Sequence, residues 1–215
     1  LGQSVFLTSG ETWERQRRLI DPAFEGGRLR DTFPAMQAAA EASAARLVGR
    51  TGGTPVEIEA ETSHAAADVI FRTLFSLPID APLAAEVFER FRDYQRTQPL
   101  LNLAALLPLP RWLPRPHRRR TRAAAREIRG LIARLVKTRA AEIAAGTAPD
   151  DLATKIMTAR DPVTGAGVTP EEMVDQVAIF FLAGHETSAS ALGWALYLLA
   201  THPEWQARVA QEARE

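Results

Sequence analysis

The amino-acid sequence predicts an all-α fold, mainly α with minor β. Three observations carry that reading: apolar residues recur at helical spacing along most of the chain, and segment interiors are filled with alanine, leucine, arginine and glutamate. Turn-forming runs such as 51–55 and 161–165 and the prolines between 99 and 116 separate the segments. Alanine and the straight-chain residues lose least side-chain freedom in a helix, so the pattern and the propensity agree. With 215 residues, 46% hydrophobic and 24% charged, the chain suits one globular unit with a buried core.

Taken in order, a first helix is expected over 12–20, stopping before Pro22, and a second over 29–49, closed by the turn-tolerant Thr51-Gly52-Gly53-Thr54-Pro55. The alternation Val56-Glu57-Ile58-Glu59 reads as a short edge strand. Helix returns over 62–75 and again over 80–97. Pro99, Pro108, Pro110, Pro114 and Pro116 then break any continuous helix and mark a long connection. A long basic helix over 117–145, a short one over 150–159 and a turn over 161–165 follow. Thr169-Pro170-Glu171-Glu172 combines an N-cap threonine, proline at the first helical position and a glutamate that completes a capping box. From there no proline intervenes until Pro203, so one long central helix is expected over about 169–200. At 1.5 Å per residue it would run roughly 45 Å.

Composition excludes several classes. Formal net charge is zero and the pI is near 7.1, which gives no bulk reason to expect nucleic acid or a membrane surface as partner. The basic stretch 111–139 holds eleven arginines and lysines against Glu127 alone. Ile128, Leu131, Ile132 and Leu135 give it an apolar stripe, so it reads as the solvated face of a packed helix. The apolar run 174–200 is long enough for a bilayer, but His185, Glu186, Thr187, Ser188 and Ser190 fall in its middle. A carboxylate there costs about 2.5–3.5 kcal/mol on insertion scales, so a buried helix of a soluble, cytoplasmic protein is expected. There is no cysteine, hence no disulfide and no thiolate ligand within this chain. The absence of an initial methionine and the end inside a helical pattern lead to the expectation that these residues are part of something longer.

Two constellations carry chemistry. In Ala183-Gly184-His185-Glu186-Thr187-Ser188, polar residues interrupt an apolar helix. The Thr187 hydroxyl can bond back to the carbonyl of Gly184 or Ala183, beside a glycine that leaves a shallow groove and an acid at Glu186. The alternative is that Thr187 and Ser188 are simply satisfied and that Gly184 permits a close helix crossing. In Gly10-Glu11-Thr12-Trp13-Glu14-Arg15-Gln16-Arg17-Arg18, Trp13 and Arg17 project from one helical face and offer two donors to a carboxylate. A surface cation–π pair is the alternative there.

Both runs, in this order and separation, resemble the cytochrome P450 family of haem-thiolate monooxygenases. The segment from Gly10 to Phe24 matches the family's tryptophan, three residues, arginine, then proline and phenylalanine. Ala183 to Thr187 matches its alanine or glycine, glycine, any residue, acid, threonine. Asp150-Asp151-Leu152 and Leu199-Ala200-Thr201-His202-Pro203-Glu204 are also similar to the family's sequence.

The resemblance implies a cytochrome P450-like helical fold in which 1–215 is a single partial domain. The family's N-terminal anchor and sheet region and its C-terminal haem-binding loop would both be absent. It implies haem b as cofactor, with Trp13 and Arg17 binding a propionate and Ala183, Gly184 and Thr187 lining the oxygen groove. Thr187 and Glu186 would be the catalytic pair that delivers protons to dioxygen. Implied partners are a small apolar organic substrate, O2 and a ferredoxin- or flavoprotein-type redox partner, with Arg15 or Arg18 contributing to docking.

Ser188 stands where a second threonine is frequent. The iron-ligating cysteine and a glutamate-x-x-arginine pair lie beyond this chain in the family. Glu14 to Arg17 and Glu89 to Arg92 match that pair by chance, and none of His64, His117, His185 and His202 suggests a substitute ligand, so no metal ligand is expected here. The chain alone is therefore expected to be inactive and to give no thiolate-type carbon monoxide band. Alanine- and arginine-rich composition looks bacterial. Substrate contacts are expected around 88–107 and 179–183. The competing function is a non-catalytic helical binding or interaction domain without haem.

Overall fold

A computed structural model describes residues 2–50, 55–96 and 116–215. In chain order the helices among them are α1 Gly10–Ile20, α2 Arg28–Val48, α3 Ile58–Phe75, α4 Pro82–Arg96, α5 Pro116–Ala145, α6 Leu152–Thr158, α7 Pro170–Thr201 and α8 Pro203–Glu212. A short 3-10 turn, Asp21–Ala23, follows α1. Boundaries expected from sequence hold to within a few residues. One element does not: there is no strand among the described residues, and 56–59 feeds into α3, which starts at Ile58. Four residues of alternation give no sheet partner, whereas Glu59 and Glu61 in the first turn of a helix complement its dipole. The proline-rich connection lies outside the described residues.

The core forms where α7 packs most extensively on α3, α3 on α2, and α5 on both α4 and α7. Phe71 and Phe75 from α3, Val87 and Phe91 from α4, Ile132 and Val136 from α5, and Met173, Val177 and Phe181 from α7 are buried there. Each such side chain contributes roughly 1.5–3 kcal/mol of burial free energy. The two halves of α7 differ. From Met173 to Ile179 it buries every residue, then only Phe181, His185 and Ala189, one face of the helix, and beyond Ala189 it buries none.

Its start is fixed as the sequence predicts. Thr169 accepts from the Glu172 N–H at 3.2 Å, and the Glu172 carboxylate accepts from the Thr169 N–H at 2.9 Å. Glu172 also accepts from Arg15 at 2.6 Å, which ties α1 to the first turn of α7. Among the described residues no helix is long and apolar enough to cross a membrane.

Candidate functional site

The N-terminal segment lies along one strip of α7. The Val5 N–H donates to Gln176 Oε1 at 3.1 Å, Arg15 meets Glu172, and the Phe24 ring stands edge-on to Phe180 with centroids 5.7 Å apart. Residues 172, 176 and 180 succeed one another by four, so they share a helical face. Continued toward the C-terminus, the same face bears Ala183 and then Thr187. Here nothing from the N-terminal segment covers it: Ala183 is partly exposed and Thr187 exposed.

On that open strip the Thr187 hydroxyl donates to the Ala183 carbonyl at 2.5 Å, one of the two acceptors its position allows. The α-helix nevertheless runs unbroken through the motif. Glu186 projects from the adjoining side, where it accepts from Gln95 Nε2 of α4 at 3.3 Å. An exposed hydroxyl and an exposed carboxylate thus stand at consecutive positions of α7 on adjoining sides of the helix, each with one internal tie. That pairing can accept, hold and pass a proton. Gly184 turns toward α3, where a Cβ would come 3.2 Å from Ile70 Cδ1, so its bare Cα serves the close approach of two helices.

Trp13 and Arg17 are brought together on α1, with the guanidinium carbon 5.9 Å from the indole centroid. Both are exposed, Trp13 at 42%, and Arg17 also pairs with Asp21 at 3.0 Å. Arg15 and Arg18 differ. Arg15 donates to the Gly167 carbonyl at 2.7 Å as well as to Glu172, and Arg18 donates to Asp161 at 2.7 Å. Arg18, Thr164 and the Val163 N–H together hold the Asp161 carboxyl far below the usual carboxylate range. Both arginines are thus ion-paired within the molecule while remaining partly exposed. Glu89 and Arg92 form a surface pair at 3.2 Å.

One residue of the motif escaped sequence reasoning. His185 is 2% exposed, hydrogen-bonded through Nε2 to Ser63 Oγ at 2.8 Å and stacked on Phe181 at 5.3 Å. Burial pushes its pKa below the ordinary imidazole value of 6.5. Ser63 lies 122 positions away in sequence, so no local signal could have paired them. No group of three or more histidines, cysteines, aspartates or glutamates among the described residues could hold a metal ion.

The sequence model of the cytochrome P450 family matches residues 1–215. The chain belongs to that family. Cyclooctat-9-en-7-ol 5-monooxygenase of Streptomyces melanosporofaciens is 34% identical over all of this chain and 45% of its own length. A cytokinin hydroxylase of Arabidopsis thaliana is 30% identical over all of this chain and 43% of its own. An 11-oxo-beta-amyrin 30-oxidase of Glycyrrhiza uralensis is 29% identical over 94% of this chain and 40% of its own. The chain thus spans less than half the length of the relatives it matches. These relatives include plant and Streptomyces proteins, so they give no support to a specifically bacterial type. The fold agrees: the crystal structure of the cytochrome P450DA heme domain superposes with a TM-score of 0.74 at 22% identity, covering 96% of this chain and 44% of that one.

Proposed function

We propose that the protein to which this cytochrome P450 chain contributes is a haem-dependent monooxygenase. It would insert one oxygen atom from O2 into a small apolar organic substrate, with electrons from a ferredoxin- or flavoprotein-type partner. The observation that carries the reading is the open strip of α7 that bears the Thr187 hydroxyl, bonded to the Ala183 carbonyl, with the exposed Glu186 on the adjoining side of the helix. The strip fits a flat prosthetic group, because small or short side chains stand at 183 and 187 where larger ones stand at 176 and 180. Trp13 and Arg17 fit as well, since an indole N–H and a guanidinium at the surface suit a propionate.

When bound, haem supplies the one-electron and dioxygen chemistry, with a thiolate ligand from outside this chain feeding electron density to the iron. Within the chain, Glu186 takes a proton from solvent and Thr187 Oγ1 passes one on along the open strip. At rest the Ala183 carbonyl holds the hydroxyl's own proton, so passing one on requires Oγ1 to accept a proton as it releases the one bonded to that carbonyl. Ala183, with only a methyl group, leaves space beside the hydroxyl. Substrate contacts are proposed for the apolar residues near 179–183, where Ile179 is buried and Leu182 and Ala183 are partly buried.

The test is Thr187→Ala in the full-length, haem-loaded protein. Removing the hydroxyl should raise the fraction of consumed oxygen released as hydrogen peroxide roughly severalfold, as expected when a proton donor worth orders of magnitude in rate is lost. Unchanged partition between peroxide and other products would remove Thr187 from the mechanism.

A further inference from the structure

The face of α7 opposite the proposed proton site is held by a contact the family motif does not describe. At 100° per residue, His185 lies about 160–200° around the helix from Ala183 and Thr187. Its ring is enclosed by Phe181, stacked at 5.3 Å and 20°, and by Phe88 of α4, edge-on at 5.7 Å and 88°. Nε2 bonds Ser63 Oγ of α3 at 2.8 Å, while buried Nδ1 has no hydrogen-bond partner. Phenylalanine would fill such a cage without leaving an orphaned nitrogen. What imidazole adds is a directional bond to α3.

Neighbouring residues extend the hold. Gly184 seats against Ile70, seven positions or two turns along α3 from Ser63, and Glu186 accepts from Gln95 of α4. Three consecutive residues of the motif are therefore tied to α3, α3 and α4, immediately before Thr187.

We propose that His185 and Ser63 form a positioning pair that fixes the register of α7 on α3 and thereby sets where the Thr187 hydroxyl and Glu186 carboxylate point. The inference rests on the monooxygenase reading given above. His185 touches neither substrate nor cofactor in this role; it acts through the helix it anchors. Burial, with a smaller push from Arg92, lowers the imidazole's pKa and favours its neutral form, against Glu186 and the Ser63 hydrogen bond, which raise it. The neutral ring retains a nitrogen lone pair or N–H for the serine without a buried charge.

The experiment compares full-length, haem-loaded wild type with Ser63→Ala, Ser63→Thr, His185→Phe and Thr187→Ala. Amide hydrogen exchange over 183–188 is followed by mass spectrometry. The ratio of hydrogen peroxide to oxygen consumed is measured during substrate-free turnover with an exogenous flavoprotein reductase and ferredoxin. Ser63→Ala and His185→Phe should each accelerate exchange in that segment about fivefold, the factor a hydrogen bond of ordinary net strength makes in a local opening equilibrium. Both should shift the peroxide ratio in the direction of Thr187→Ala, and Ser63→Thr should restore wild-type behaviour in both measurements.

Should His185→Phe fail to fold, Ser63→Ala and its threonine rescue carry the result. Exchange and ratio at wild-type values in Ser63→Ala, with Thr187→Ala still shifted, overturn the pair and leave the monooxygenase reading standing. A ratio unmoved by Thr187→Ala sinks the proton reading and the pair's role toward it together.

Discussion

Arg139 is the side chain on which the most internal structure converges. It is 4% exposed and donates to the Phe75 carbonyl at 2.7 Å, to Asp151 at 2.5 Å and to Thr154 Oγ1 at 2.9 Å. Asp151 in turn caps α6 through the Thr154 N–H at 3.0 Å and accepts from Ser76 Oγ at 2.9 Å. Ser76 closes α3 in the left-handed region at φ 54°, so one guanidinium organises the ends of two helices. Arg139→Met should cost roughly 3–5 kcal/mol, because it leaves the Asp151 carboxylate buried without its partner. Changing both, Arg139→Met with Asp151→Ala, should recover part of that loss in a denaturant titration. A cost under 1 kcal/mol for the single change would mean that water replaces the guanidinium. None of this was legible beforehand: Arg139 read as one more cation in a basic stretch, because its partners come from α3 and α6.

Among the elements, α7 was the best read and its surroundings the worst. Local chemistry alone decides its start, and Thr169-Pro170-Glu171-Glu172 forms the capping box the sequence spells. Thr169→Ala should destabilise by about 1 kcal/mol. Glu172→Ala should cost more, since it removes the reciprocal cap and the tie to Arg15 at once. The two losses, measured by thermal unfolding, should be clearly unequal; equal losses would mean that the Arg15 contact adds nothing to the cap. The site followed the same division. That the Thr187 hydroxyl bonds a carbonyl one turn back is a local property, and it was legible. That Gly184 meets Ile70 and His185 meets Ser63 depends on which helix packs behind, information spread over more than a hundred residues. The edge strand expected at 56–59 failed for the converse reason, since a strand exists only where another chain segment pairs with it.

At the scale of the molecule, burial along α7 changes character at its midpoint. Its first half sits in the core, while its second half and α8 display Trp194 at 64%, Tyr197 at 57%, Leu198 at 51% and Trp205 at 51% exposure. Trp194 and Leu198 share the face that carries Ala183 and Thr187, so the proposed site and the bare apolar surface are continuous along one rod. Monomeric soluble proteins rarely expose contiguous apolar patches beyond a few hundred Å². The 215-residue chain, prepared by itself, should therefore associate. Sedimentation velocity should show species larger than 23.6 kDa that grow with concentration. The double substitution Trp194→Glu with Leu198→Glu should shift the distribution back toward the monomer while leaving helix content by circular dichroism unchanged, because both positions are exposed. If the unsubstituted chain stays monomeric at high concentration, the second half of α7 must fold back onto the remainder, and the open strip that carries the proton site closes with it.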